Sequence, residues 1–291
     1  MYDSHTHISS EELVSDIDRL VRRFIEVGGK GILNVGYDPE TSFESVEYTR
    51  KNLTRKDILI RSAVGLHPTL IGEHSPYSKP LKSLTSATHM FKMINSLLER
   101  NRRYIIAIGE TGLDYFHLDT TDQYSLVEKS EIKQLQKQLF RDHVHLALEH
   151  DLPITIHTRD VAESTECITD ALEICAEVGM GNLTGSFHSY TGNKEFSSDI
   201  TNLGFAIGVN AIITYRSGES VRDMIHSLPI ENILLETDAP YLPIRGKKPR
   251  SVYGEPADLT EIAKAVSEVT KTPLDKVILQ TSENFEKIFR I

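Results

Sequence analysis

The sequence predicts a single (β/α)8 barrel, and three observations predict it. Short apolar runs rich in β-formers alternate with longer amphipathic segments about eight times along the chain. No long polar linker interrupts the alternation, so one α/β domain spanning 1–291 is expected. A chain of 291 residues is also the size that such a barrel needs.

The strand-like runs are 1–7 (MYDSHTH), 30–36, 58–68, 104–114, 152–158, 183–189, 204–209 and 232–242. Between the first two, residues 9–29 place Leu13, Ile17, Leu20, Val21, Phe24 and Ile25 at helical spacing, and Gly28-Gly29 reads as the stop. Asp38 before Pro39 reads as an N-cap followed by proline in the first helical position. The stretch 72–90 is the least regular and is expected as a surface loop leading into a helix. Thr158 or Asp160 is placed to cap the helix carrying Leu172 and Ile174. An open doubly wound sheet is the competing architecture. Against it, no G-x-G-x-x-G follows the first strand.

Composition narrows the function. A formal net charge of −10 argues against a protein held on DNA or acidic lipid by its overall field, while leaving room for a local basic groove. Cys167 and Cys175 are the only cysteines and read as reduced thiols on one helix. The start of the chain lacks the basic and apolar regions of a secretory signal, and no apolar run approaches the ~20 residues of a membrane span. A cytoplasmic protein without a membrane partner is expected.

The polar residues on the strands carry the chemistry. His5 and His7 point to one side of a strand, because side chains alternate with a period of two. His67, Glu110, His157, His188 and Asp238 fall at or near the ends of five further runs. Singly, each reads as a structural histidine or a helix cap. In a parallel barrel, however, all the C-terminal strand ends open on one face, so these residues converge and make a metal-binding set. The remaining histidines, at 74, 89, 117, 143, 145, 150 and 226, fall in loops or helices and read as structural.

Taken in order, Asp3-Ser4-His5-Thr6-His7, Gly65-Leu66-His67-Pro68, Gly109-Glu110-Thr111-Gly112-Leu113-Asp114-Tyr115, Gln136 with Phe140, Ile156-His157-Thr158-Arg159-Asp160, Phe187-His188-Ser189-Tyr190-Thr191-Gly192 and Glu236-Thr237-Asp238-Ala239-Pro240-Tyr241 resemble the TatD-type metal-dependent deoxyribonucleases of the amidohydrolase superfamily. The resemblance covers essentially the whole chain. It implies a TIM barrel, two divalent metal ions (Zn, Mn or Mg) and phosphodiester hydrolysis, often as a 3′→5′ exonuclease on DNA or a short nucleic acid. By position, His5, His7, Glu110 and Asp238 would hold one metal, and Glu110 would bridge to a second completed by His157 and His188. Asp238 has two roles open to it, ligand and general base, separately or together, and Glu110 and Asp238 are the expected catalytic carboxylates. His67, Arg159 and Tyr241 are expected to meet the substrate, and Lys247, Lys248 and Arg250 form the one dense basic run nearby. Glu236 and Asp3 are candidates for orienting the imidazoles.

Two positions depart from the family pattern. Gly254 stands where asparagine is common, within Val252-Tyr253-Gly254-Glu255-Pro256, and His117 stands where a basic residue often follows the Asp-Tyr-aromatic run. Two other readings compete. One is a barrel hydrolase for amides, lactones or other non-nucleic-acid esters; relatives of that kind often bridge their metals with a lysine carbamate, and no lysine ends a candidate strand here. The other is a barrel that has lost its metals and only binds.

Overall fold

A computed structural model describes residues 1–71, 84–246 and 252–291. Eight strands form one sheet: β1 (Tyr2–Thr6), β2 (Gly31–Val35), β3 (Leu59–Val64), β4 (Ile105–Asp114), β5 (Ile154–Arg159), β6 (Gly185–Phe187), β7 (Phe205–Val209) and β8 (Ile233–Leu235). Their order in the sheet is their order in the sequence, and every pair is parallel. Just beyond β8 the chain returns to β1, where Asp238 N–H donates to the His5 carbonyl and His7 N–H to that of Ala239. Ser4 Oγ adds a bond to the Leu235 carbonyl. The result is a nearly closed (β/α)8 TIM barrel.

Alternation along the strands divides the core. Leu33, Val35, Ala63, Ala107, Ala206 and Leu234 share one cluster, and several of them are small. Their opposite-facing neighbours Ile32, Ile60, Val64, Ile108, Ile207 and Leu235 join the large cluster covered by the helices. Small residues on the inner face leave room for polar side chains near the C-terminal rim.

The helices follow the expected signals, with adjustments. Helix α1 spans Ile17–Glu26, shorter than the 9–29 periodicity suggests, because the preceding residues form turns that tuck Leu13 against Leu20 and Ala239. Helix α2 (Pro39–Asn52) begins with a complete capping box between Asp38 and Thr41. Helix α3 spans Leu84–Asn101, so residues 84–90 are already helical, while 72–83 lie outside the described residues. A short α4 (Phe116–Asp119) precedes the long α5 (Leu126–Glu149). For α6 (Glu166–Gly179), Asp160 rather than Thr158 does the capping: its carboxylate accepts from Cys167 N–H at 2.9 Å and Ile168 N–H at 3.1 Å. Both cysteines are buried and free. Helices α7 (Glu195–Asn202), α8 (Glu219–Ser227), α9 (Leu259–Thr270) and α10 (Leu274–Phe289) complete the ring, and Phe285 of α10 stacks on Tyr2 of β1 at 4.6 Å.

Several strands end earlier than the sequence pattern suggests. His7, His67, His188 and Asp238 sit just past the last residues of β1, β3, β6 and β8, while His5, Glu110 and His157 lie within strands. The chain bends at these points. Ser189 and Asp238 adopt positive φ of 48° and 56°, and His67 starts a 3-10 turn whose Thr69 N–H it accepts. Among the described residues, no helix is long and apolar enough to cross a membrane.

Candidate metal centre

The rim gathers six side chains around one carboxylate. Glu110, only 4% exposed, sends Oε2 toward His5 Nε2 at 3.5 Å and His7 Nε2 at 3.6 Å. Its other oxygen, Oε1, faces His188 Nε2 at 3.0 Å, His157 Nδ1 at 3.1 Å and His67 Nε2 at 3.4 Å. Asp238 Oδ1 lies 3.4 Å from His7 Nε2. The two oxygens thus address two separate sets of imidazoles. The groups His5–His7–Glu110 and His67–Glu110–His157 each bring three ligand atoms within reach of one ion, as does His5–His188–Glu236.

Hydrogen bonds to the far ring nitrogens fix which lone pair faces inward. His7 Nδ1–H donates to the Val35 carbonyl at 2.8 Å, which leaves Nε2 as an electron-pair donor toward Glu110 and Asp238. His5 Nδ1 meets Thr155 Oγ1 at 3.0 Å. His157 Nε2 meets Asp114 Oδ2 at 3.0 Å, leaving Nδ1 inward. His67 is different. Its Nδ1 accepts the Thr69 backbone N–H at 3.2 Å, so a neutral ring carries its proton on Nε2 and donates into the cleft. In that tautomer Nε2 has no lone pair for a cation, so the His67–Glu110–His157 group would hold one only with the proton on Nδ1, where Thr69 Oγ1 lies 2.7 Å away.

Do these residues suit a metal? His5 is fully buried, yet its inward Nε2 has no hydrogen-bond partner. A buried ring nitrogen left without a partner costs free energy, and a cation beside it removes that cost. The mixed imidazole and carboxylate donors match Zn or Mn better than Mg, which prefers an all-oxygen shell. The set fits.

The carboxylates are held in the required charge state. Burial would raise the Glu110 pKa, but the charges of His67 and His188 and hydrogen bonds from His157 and His188 outweigh it and hold the group well below the usual range. At Asp238 burial is likewise outweighed, here by the His7 hydrogen bond and the charge of His188, so its pKa is lowered. Burial lowers the pKa of His5 and His67.

Glu236 and Asp3, both expected beside the imidazoles, part ways. Glu236 is fully buried, accepts from Ser189 N–H at 2.6 Å and lies 3.4 Å from His188 Nδ1. A Cβ on Gly208 would strike its carboxylate, so the glycine makes its berth. Among the described residues, Asp3 bonds to no imidazole. Its carboxylate accepts from Thr237 N–H at 3.0 Å and Thr237 Oγ1 at 2.6 Å, tying β1 to the segment that presents Asp238. Burial pushes its pKa up to about 8. Asp114 was visible to the same period-two rule, since 110, 112 and 114 share a strand face. Thr155, two residues before His157, was too.

A cleft of about 250 Å³ opens over the cluster, with His117, Arg159 and Tyr241 on its walls. Arg159 is exposed, its guanidinium 3.9 Å from the centre of the Phe116 ring. Tyr241 meets His7 edge-on at 5.7 Å. Past Tyr37 and Tyr241 the cleft adjoins a wider groove of about 1520 Å³ that carries Glu11, Glu12, Asp38, Glu40 and Glu44 against Lys92 and Arg100. Gly254, one of the departures, lies where a Cβ would meet the Tyr241 carbonyl oxygen at 2.5 Å, so close packing explains the glycine. Lys247, Lys248 and Arg250 lie outside the described residues.

Known proteins share this plan. The family described as "TatD related DNase" matches residues 2–290. An uncharacterized metal-dependent hydrolase, YabD of Bacillus subtilis, is 26% identical over 294 residues, covering 100% of this chain and 99% of its own. A protein of Salmonella typhimurium named 3′-5′ ssDNA/RNA exonuclease TatD is 27% identical over 271 residues, covering 92% of this chain and 90% of its own. The crystal structure of YjjV, a TatD homologue from Escherichia coli, superposes with a TM-score of 0.80 at 23% identity, covering 100% of this chain and 98% of that one. With a family match along nearly its full length and a metal-dependent hydrolase as a full-length relative, the chain belongs to the TatD-related DNase family of metal-dependent hydrolases.

Proposed function

We propose that the protein is a phosphodiesterase acting on DNA or short nucleic-acid strands through a two-metal centre. The observation that carries this reading is the division of Glu110, one oxygen facing His5 and His7 and the other facing His157 and His188. His5, His7, Glu110 and Asp238 would hold one divalent cation, and Glu110, His157 and His188 the second. When bound, such a pair supplies an activated water and charge stabilisation for a phosphoryl group.

The chain's own residues do the rest. Asp238, kept ionised, accepts the proton of the attacking water. The His67 Nε2–H, which faces Glu110 Oε1 at 3.4 Å, would be shared with a phosphate oxygen, and Arg159 approaches the neighbouring phosphate from its exposed position on Phe116. Tyr241 offers a ring face for a base at the cleft mouth. The acidic groove past Tyr37 repels a phosphate backbone, so the strand leaves on the Arg159 side. The Salmonella relative's name supports a nucleic-acid substrate. No lysine lines the cleft among the described residues, so nothing there would form the carbamate bridge of the amide and lactone hydrolases.

The test is a panel of single-stranded DNA, duplex DNA, RNA and a simple phosphodiester, each with Zn or Mn and with EDTA. The reading expects metal-dependent cleavage of single strands that EDTA abolishes. Hydrolysis of amides or lactones with no nucleic-acid cleavage would overturn it.

A further inference from the structure

Asp114 ends β4 on the same face as Glu110 and is 1% exposed. Its backbone is clamped from α5: Gln136 Oε1 accepts its N–H at 2.9 Å, and Gln136 Nε2 donates to its carbonyl at 3.2 Å. The two carboxylate oxygens have separate duties. Oδ1 accepts the His117 backbone N–H at 3.0 Å. Oδ2 is shared by two imidazoles, His157 Nε2 at 3.0 Å and His117 Nδ1 at 2.8 Å.

We propose that Asp114 is a positioning residue that selects the tautomer of His157. By accepting from Nε2 it makes Nδ1, 3.1 Å from Glu110 Oε1, the nitrogen that bears the lone pair once the ring is neutral, and so builds the second cation site without touching it. This rests on the two-metal reading above. The logic is that of carboxylate–imidazole–metal relays, in which the outer partner sets ring orientation and basicity. Sharing Oδ2 with His117, which lines the cleft, ties the metal side of the site to its substrate wall through one oxygen.

Asp114→Asn tests this with little change of shape. The His117 backbone N–H is a donor, so the asparagine must keep its carbonyl oxygen there and place its NH2 where Oδ2 stood. That group donates, and His157 must then accept at Nε2 and carry its proton on Nδ1. The first measurement is nitrogen NMR of metal-free, 15N-histidine-labelled protein at a pH where His157 is neutral. The wild type should show the Nε2–H form, and Asp114→Asn the Nδ1–H form. The second is a titration with zinc alone. One of two sites should weaken by roughly 10- to 100-fold in Asp114→Asn while the other keeps its affinity. His117→Ala, which leaves Oδ2 accepting from His157, should keep both the tautomer and both affinities.

An Nδ1–H tautomer in the wild type would overturn the inference, and needs no variant to fold. So would wild-type zinc binding by Asp114→Asn, or a loss in His117→Ala equal to that in Asp114→Asn, since the effect would then run through local packing. A wild type that binds no zinc would fail differently, by removing the metal reading on which this depends.

Discussion

At the residue scale, the most telling contrast is between His143 and the histidines of the rim. His143 is fully buried on α5, donates Nδ1–H to the Leu139 carbonyl at 2.8 Å and accepts the Leu66 N–H at 3.1 Å. Both nitrogens are satisfied in the neutral form, and burial pushes its pKa down to about 4. The folded pKa lies below the unfolded one, so the unfolded chain binds more protons between about pH 6.5 and pH 4. Stability therefore falls as pH falls through that window, by roughly 3 kcal/mol for this group. Denaturant titrations at both pH values should show the wild type losing about that much more than His143→Leu. Equal losses would show that His143 is not buried neutral. Arg159 makes a different prediction. Its role is to meet a charged substrate, so Arg159→Ala should raise KM for single-stranded DNA by roughly tenfold and leave kcat within about twofold. Steady-state kinetics at fixed ionic strength would decide it.

At the element scale, what was legible depended on whether a signal was local. The Asp38–Pro39 start of α2 and the eight apolar runs needed only neighbouring residues, and they stand in the structure. The true strand ends were not legible, because the bends that follow β1, β3, β6 and β8 depend on contacts with other segments that the local pattern does not show. His67, His188 and Asp238 are consequently held by turns beyond the sheet. The helix-α6 cap was legible as a pair of candidates, and the bonds to Cys167 and Ile168 select Asp160. Asp160→Ala should cost about 1 kcal/mol of stability by removing acceptors for two helix-end donors. Thr158→Ala should not disturb that cap. Chemical denaturation of the two variants separates them.

At the scale of the whole molecule, the barrel turns a list of distant positions into a site. From His5 to Asp238 the ligand candidates span most of the chain, and only parallel closure brings them to one rim. The rim residues were legible because an acid or imidazole after an apolar run has no packing reason to be there. Asp114 and Thr155 share strand faces with Glu110 and His157 but were not singled out, because their bonds to His157 and His5 run between strands and no single strand displays them. Since the cations would bind only the folded rim, they should stabilise the whole barrel: at a zinc concentration ~100 times the dissociation constant of a site the gain is about 2.7 kcal/mol for that site. A thermal melt should therefore shift upward on zinc addition and return after EDTA. A melt indifferent to zinc would exclude a folded-state site.

The most direct test of the central claim is the metal-to-protein ratio of Glu110→Ala, measured by elemental analysis after stripping and reloading beside the wild type. One carboxylate serving both sides of the cluster predicts two ions per wild-type chain and loss of both from the folded variant, with DNA hydrolysis falling by roughly a thousandfold or more. A folded Glu110→Ala protein that keeps two tightly held ions would contradict the account.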